Sequence, residues 1–306
     1  MNILITGVLG HIGSLLIKKI SKTKNLKTIY LIDSARSNNL NVLFNLKLKN
    51  KIKFIHGDLL DKKILNNIKS TINVVIHLAS ITNAEASFKH KKLIYKNNYG
   101  IFRNIVKFCI KKKSKLIHLS STSVYGAQEF LVDENTKNLQ PQSPYAHVKL
   151  MEENYLKRYK NQIKYCTLRL GTITGISKGM RFHTAVNKFC FKTIVGEKIP
   201  VWNNAIDQYR PYLSLKDAIK VMNFIIQNNL FNNETYNILT KNYTVREILN
   251  IIKKNNYKLK IIKTNSPILN QNSYKVSNNK FSKFKVKLSK SIDKDIKDTL
   301  NMLKNL

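Results

Sequence analysis

Residues 3–6 read as a buried strand that runs straight into Thr6-Gly7-Val8-Leu9-Gly10-His11-Ile12-Gly13, and a helical run, Ser14 to Ile20, follows at once. A strand, three glycines and a helix in that order leave few folds open. At such a turn the glycines permit a tight bend, close approach of a pyrophosphate to the backbone and close helix packing, while the helix N-terminus faces the anion. The spacing is G-x-x-G-x-x-G rather than G-x-G-x-x-G, so an ordinary glycine-rich turn is the competing reading. Thr28-Ile29-Tyr30-Leu31-Ile32 is the second strand and ends at Asp33, 20 residues beyond Gly13. An acidic residue there hydrogen-bonds the adenosine ribose hydroxyls and repels a 2′-phosphate, which selects NAD over NADP. Arg36 keeps NADP open as the lesser option, and a turn cap is the alternative role for Asp33.

Further strands alternate with helical runs. Ile52–His56 leads into Gly57-Asp58-Leu59, and Val74-Val75-Ile76-His77-Leu78-Ala79 ends in small residues that let a cofactor approach. The loop from Ser80 to Ser87, carrying Thr82, follows at the carboxyl end of the sheet, where α/β proteins place their ligands. A long helix is expected from about Leu93 to Lys112. A fifth strand, Lys115–Leu119, delivers Ser120-Ser121-Thr122-Ser123-Val124-Tyr125-Gly126 to the same edge. Strands alternating with helices predict a doubly wound parallel sheet.

Tyr145-Ala146-His147-Val148-Lys149, preceded by Ser143-Pro144, supplies the chemistry. A tyrosine and a lysine four apart share one helix face. The ammonium there favours the ionised phenol, and bringing a phenol from a pKa near 10 to neutrality takes about 4 kcal/mol. The lysine together with an oxidised nicotinamide would supply it. In a lysine-rich chain an isolated pair of this kind is usually a surface feature. Beside Tyr145 and Lys149, the hydroxyls of residues 120–123 read as donors to a substrate carbonyl.

These blocks, in this order, resemble an extended short-chain dehydrogenase/reductase of the sugar-nucleotide epimerase/dehydratase branch. Asn97 to Gly100, Leu168 to Gly175 and Arg210 to Asp217 continue the resemblance, which is good to about residue 250. The resemblance implies Ser121, Tyr145 and Lys149 as catalytic residues. It implies Gly7, Gly10, His11, Ile12, Gly13, Asp33, Asp58, Leu59, Ala79 and Asn97 as cofactor contacts, with Asn97 bracing the strand that carries Ser121. Substrate contacts would be Thr82, Ser123, Thr172 and Arg210, the last meeting a diphosphate. Arg181, His183 and Asn187 lie where the family builds its substrate lid, although Phe182, Val186 and Phe189 equally suit a core-packed helix. A homodimer is the expected assembly. Departures from the pattern bear on the reaction. Sugar 4,6-dehydratases carry Asp-Glu directly after the catalytic Thr, whereas Thr122 and Ser123 stand here, so dehydration lacks its carboxylates. Val148 replaces Ser, Thr172 replaces Asn, Pro211 replaces Asp, and a second diphosphate arginine has no counterpart around Gln271–Tyr274.

Composition sets the outer limits. At 306 residues the chain suffices for one large domain or two joined ones. The formal charge of +37 invites a nucleic-acid reading. The excess is lysine spread along the chain, the arginines being Arg36, Arg103, Arg158, Arg169, Arg181, Arg210 and Arg246, and compositional drift of an AT-rich genome accounts for it better. The opening run is too short, and lacks the basic leader, for a signal peptide, and nowhere do about 18 apolar residues run together. Cys109, Cys166 and Cys190 have no metal or disulfide spacing, and an odd count suits a reducing cytoplasm.

The expectation is an NAD-binding Rossmann domain over residues 1–175, with contributions from about 203–240, and a mainly substrate-binding domain over 176–306. The expected reaction is epimerisation of a nucleotide-linked sugar through a transient ketone. A sugar dehydrogenase or reductase is the alternative, ahead of a non-catalytic dinucleotide-binding protein or a nucleic-acid-binding one.

Overall fold

The computed structural model describes residues 1–306 apart from Lys22, Lys47 and the stretches 84–86, 266–272 and 305–306. In chain order the first half contains β1 (Asn2–Thr6), α1 (His11–Ile20), β2 (Thr28–Asp33), β3 (Lys51–His56), α2 (Lys62–Asn66), β4 (Val74–His77), α3 (Lys91–Ile94), α4 (Gly100–Lys112), β5 (Lys115–Ser121), β6 (Leu131–Val132) and α5 (Pro144–Arg158). The second half contains β7 (Tyr165–Leu170), β8 (Thr172–Thr174), α6 (Ala185–Ile194), β9 (Ile199–Trp202), β10 (Tyr209–Ser214), α7 (Leu215–Gln227), β11 (Glu234–Ile238), β12 (Lys241–Thr244), α8 (Val245–Lys254), β13 (Ile261–Thr264), β14 (Lys275–Val276), α9 (Asn279–Ser282) and α10 (Asp293–Leu303).

Seven strands form one sheet in the order β11-β7-β5-β4-β1-β2-β3, and every pairing in it is parallel. Strands covered on both faces read as continuous apolar runs, because both sets of alternating side chains are buried. In β1, Ile3 and Ile5 enter the core shared with α1 and α7, while Leu4 enters the core shared with α4 and α5. The strand order reverses between β1 and β4, and at such a switch point the carboxyl ends of the strands open a ligand crevice. This is the predicted doubly wound sheet.

The helix expected over 93–112 is interrupted. A π-helical turn, Tyr95–Tyr99, separates α3 from α4. Asn98 sits in it and clasps the backbone of Ile81, accepting from the amide at 2.9 Å and donating to the carbonyl at 3.0 Å. Such single-turn widenings re-aim side chains and recur at functional sites.

A separate apolar cluster joins α6, α8 and α10 with β9, β10 and β12 through residues such as Val186, Ile248 and Ile296. Two further sheets, β12-β10-β8 and β13-β9, belong to this region. Among the described residues, no helix is long and apolar enough to cross a membrane.

Candidate active site

The glycine turn after β1 is built as the spacing predicted. Gly7 has φ +68°, and a Cβ there would lie 2.5 Å from the amide nitrogen of Ala79. A Cβ on Gly13 would lie 2.6 Å from both Cα and O of Val8, so only glycine lets α1 approach the turn. Thr6 ties the turn to β4, its Oγ1 accepting from the amides of Leu78 and Ala79 at 3.2 and 3.3 Å and bonding His77 Nδ1 at 2.8 Å. Burial pushes His77 down to about 3 and His11 down to about 4, so both rings are neutral at pH 7. His11 Nε2 meets the carbonyl of Gly175 at 2.7 Å, and since a carbonyl only accepts, that nitrogen carries the ring proton.

Two adjoining cavities open along the sheet edge. The smaller, of about 280 Å³, is lined by Asp33, Arg36, Asp58, Leu59, Ala79 and Asn97 among others. The larger, of about 740 Å³, is lined by Gly7, Gly10, His11, Ile12, Gly13, Ser121, Ser123, Tyr145, Lys149, Thr172 and Arg210. Thr82, Arg181 and His183 line both.

The carboxylate of Asp33 accepts from the amides of Leu9 at 3.0 Å and Ala35 at 2.9 Å, so it caps the turn and faces the smaller cavity at once. Arg36 is held by Asp58 at 2.7 Å and by Asn97 Oδ1 at 2.8 Å. Asn97 therefore differs from expectation. It bonds Arg36 and Asn98 rather than bracing the strand that carries Ser121.

Ser143 caps α5 by accepting from the amide of Ala146 at 3.1 Å, with Pro144 in the first turn. Tyr145 and Lys149 follow on one face, the Lys149 Nζ 5.8 Å from the Tyr145 ring centre. Burial is the largest influence on the Tyr145 phenol and pushes it above its ordinary value, against the pull of Lys149. The lysine alone therefore does not bring this phenol below its ordinary value. Ser121 Oγ accepts from the amide of Ser123 at 3.2 Å and from its hydroxyl at 2.9 Å, which leaves the Ser121 proton for a third partner.

Sequence reasoning missed a buried layer beneath these groups. Lys149 donates to Glu152 Oε2 at 2.8 Å, and the same oxygen meets His118 Nε2 at 3.1 Å. Glu153 accepts from Arg169 Nε and Nη2 at 2.9 and 2.7 Å and from Ser120 Oγ at 2.5 Å. Acids three and four residues after Lys149 lie on the face that the apolar period buries; that was the available signal.

Arg181 donates to Thr82 Oγ1 at 2.5 Å, and Asn187 Nδ2 donates to the Arg181 carbonyl at 2.9 Å. Asn187 is itself fully buried and does not line either cavity, so it supports Arg181 instead of meeting substrate. The two competing readings of this stretch both apply: Arg181 and His183 reach the cavities, Val186 packs in the core, and Phe189 packs there and lines the larger cavity as well. Arg210 lies 5.1 Å from the Tyr274 ring centre and donates to Tyr209 O at 2.8 Å. Tyr274, Trp202 and Gln208 also line the larger cavity. Nothing local marked Tyr274; the pairing of β14 with β6 brings it there. Gln271 and Asn272 lie outside the described residues, as do residues 84–86 of the loop after β4.

The cavities fit a dinucleotide. Gly10 opens α1 with no side-chain cap, and Ser80 Oγ, on the wall of both cavities, is buried without a partner. Both are polar groups awaiting a ligand.

The model of the NAD dependent epimerase/dehydratase family matches residues 3–238. An ADP-L-glycero-D-manno-heptose-6-epimerase of Brachyspira hyodysenteriae is 28% identical over 74% of this chain and 72% of its own. A dTDP-D-glucose 4,6-dehydratase of Dictyostelium discoideum is 30% identical over 78% of this chain and 58% of its own. The fold is shared with the UDP-glucuronic acid 4-epimerase of Bacillus cereus, solved with UDP-glucuronic acid and NAD. Its TM-score is 0.89 at 23% identity, covering 100% of this chain and 99% of that one.

Proposed function

We propose that this chain, which belongs to the NAD-dependent epimerase/dehydratase family, epimerises a nucleotide-linked sugar through a transient ketone. The observation that carries this is the larger cavity. Ser121, Tyr145 and Lys149 converge on it, and among the described residues its wall holds Lys149, Arg181, Lys188 and Arg210 but no Asp or Glu. Lys149 is paired with Glu152, and a diphosphate suits the other three cations. Elimination of water needs a positioned acid and base, and where dehydratases place them this chain has Thr122 and Ser123.

Residues Gly7, Gly10, Gly13, Asp33, Asp58, Leu59 and Ala79 would hold NAD, with Ser80 Oγ supplied a partner. Asp33 and the engagement of Arg36 by Asp58 favour NAD over NADP. When bound, NAD accepts a hydride from the sugar carbon and returns it. Tyr145 takes the hydroxyl proton as that carbon is oxidised, and gives it back on reduction. Ser121 donates its free proton to the forming carbonyl oxygen. Lys149 offsets the charge on the phenolate. Arg210 holds the diphosphate, and the indole of Trp202 is a face on which a base stacks. If the ketone turns over in the cavity between the two hydride steps, the configuration inverts.

The seven-stranded sheet and its helices, which take in most of residues 1–175 together with α7 and β11, are then the cofactor domain, and the cluster around α6, α8 and α10 the substrate domain. Exposed Phe88, just before α3, and Leu93, within it, are in keeping with a homodimer. Three buried free thiols suit a reducing cytoplasm. Incubation with NAD and a panel of nucleotide sugars, followed by NMR of sugar stereochemistry and mass spectrometry, tests the reaction. Inverted sugar of unchanged mass is expected; a product lighter by one water would overturn it.

A further inference from the structure

Glu152 is the buried acidic partner of Lys149. Lys149 is 4% exposed and Glu152 1%, and the 2.8 Å contact between them is shared through one oxygen with His118, which is 0% exposed. The other ring nitrogen of His118 lies 3.3 Å from Thr167 Oγ1, and the ring centre of Phe102 packs 4.6 Å from that of the imidazole. Neither Glu152 nor His118 lines a cavity, so neither touches substrate. Joining α5 to the sheet does not require them either, because Glu153 already bonds Ser120 on β5 and Arg169 on β7 from the same helix.

We propose that Glu152 is a positioning residue for proton transfer: it fixes the ammonium of Lys149 and sets the pH at which Tyr145 gives up its proton. The proposal rests on Tyr145 being the group that moves the proton. A buried ammonium without a partner is costly, and Glu152 keeps Lys149 charged at a fixed point. The same carboxylate opposes the lysine's influence on the phenol, so the phenol proton is released at higher pH than a lysine alone would dictate. The titratable and charged groups facing this pair are Tyr145 and Glu153 from α5, His118 from β5, His77 from β4 and Arg181 from the loop after β8. From α4 comes the apolar ring of Phe102, and the π-helical turn packs Tyr99 against Tyr155 of α5.

The sign holds for a lysine that stays charged. Removing the carboxylate then takes a negative charge from beside the phenol and leaves the ammonium's pull in place, so the phenol proton leaves more easily. Ultraviolet titration of the phenolate in NAD-saturated protein, taken as the difference between each protein and its Tyr145→Phe derivative, reads Tyr145 alone. Glu152→Gln is expected to lower that midpoint by on the order of one pH unit. Glu152→Asp, which keeps the charge, is expected to bring it back toward wild type, and the acidic limb of kcat/KM, where the base Tyr145 must lose its proton, should move in parallel. A midpoint unmoved or raised in Glu152→Gln, or moved equally in both variants, overturns the proposal. If Glu152→Gln does not fold, Glu152→Leu with His118→Leu fills the same volume and carries the same expectation. The titration needs no substrate. A shifted midpoint without turnover of any nucleotide sugar would overturn the proposed reaction and leave the role of Glu152 standing.

Discussion

Glu153→Gln tests the layer that holds the active-site helix to the sheet. In the wild type the Glu153 carboxylate accepts two bonds from Arg169 and one from Ser120, while Arg169 Nη1 donates to the Tyr125 hydroxyl at 2.9 Å. Both partners are almost wholly buried, Glu153 at 2% and Arg169 at 4% exposed. Glutamine keeps the shape but leaves a buried guanidinium without its counter-charge, and turns one acceptor into a donor facing a donor. Removing one partner of a buried pair costs about 3–5 kcal/mol. Against a net stability of about 5–15 kcal/mol, that is a large share. Urea unfolding at pH 7, followed by circular dichroism, would measure it.

The pH dependence has a definite sign. Burial alone would raise the Glu153 carboxyl, but the bonds and charge of Arg169, with help from Ser120, hold it below the usual carboxylate range. A carboxyl depressed on folding stabilises above its unfolded pKa, about 4.3, and that contribution is lost as pH falls through the folded value. The deficit of the variant is therefore complete at pH 7 and shrinks below about pH 4. A double change to Glu153→Met with Arg169→Met should recover most of the loss. A deficit under about 1 kcal/mol, typical of exposed pairs, or one that grows on acidification would refute the reasoning.

Tyr145→Phe removes only the proton-transferring oxygen. Turnover should fall by about 10²–10⁴-fold with NAD affinity within a few-fold, as isothermal titration would show. Asp33→Ala should weaken NAD far more than NADP; equal losses would remove Asp33 from the ribose. Arg210→Ala should raise KM and leave kcat nearly unchanged, because it removes binding common to ground and transition states. His77 is buried neutral, with its pKa depressed by burial to about 3. The stability it contributes is present above its unfolded pKa of about 6.5 and is lost as pH falls toward 3. His77→Asn preserves a partner for Thr6 and should flatten the fall in Tm between pH 6.5 and 4, an interval the cited shift spans; an unchanged slope would show that other groups govern acid unfolding.

The sheet and the dinucleotide turn were legible because they rest on local patterns. Continuous apolar strands, a glycine where a Cβ would strike Val8, and a capped helix opening at Ser143 are decided within a few residues of chain. The Tyr145–Lys149 face was legible for the same reason, as helical period places it. Three readings failed where distant parts meet. The helix at 93–112 is interrupted because Asn98 is drawn to the backbone of Ile81. Asn187 turns inward because α6 buries that face, and Asn97 finds Arg36 across the crevice.

By itself the sequence determined the fold class, the cofactor turn and the residue types of the chemistry, since period and backbone sterics need no partner. Only the tertiary structure decided the electrostatics. Whether Lys149 activates Tyr145 depends on what else is buried beside it, and Glu152 and His118 come from a helix and a strand that meet only in the folded chain. Desolvation is a property of the whole packed environment, and no spacing in the chain records it.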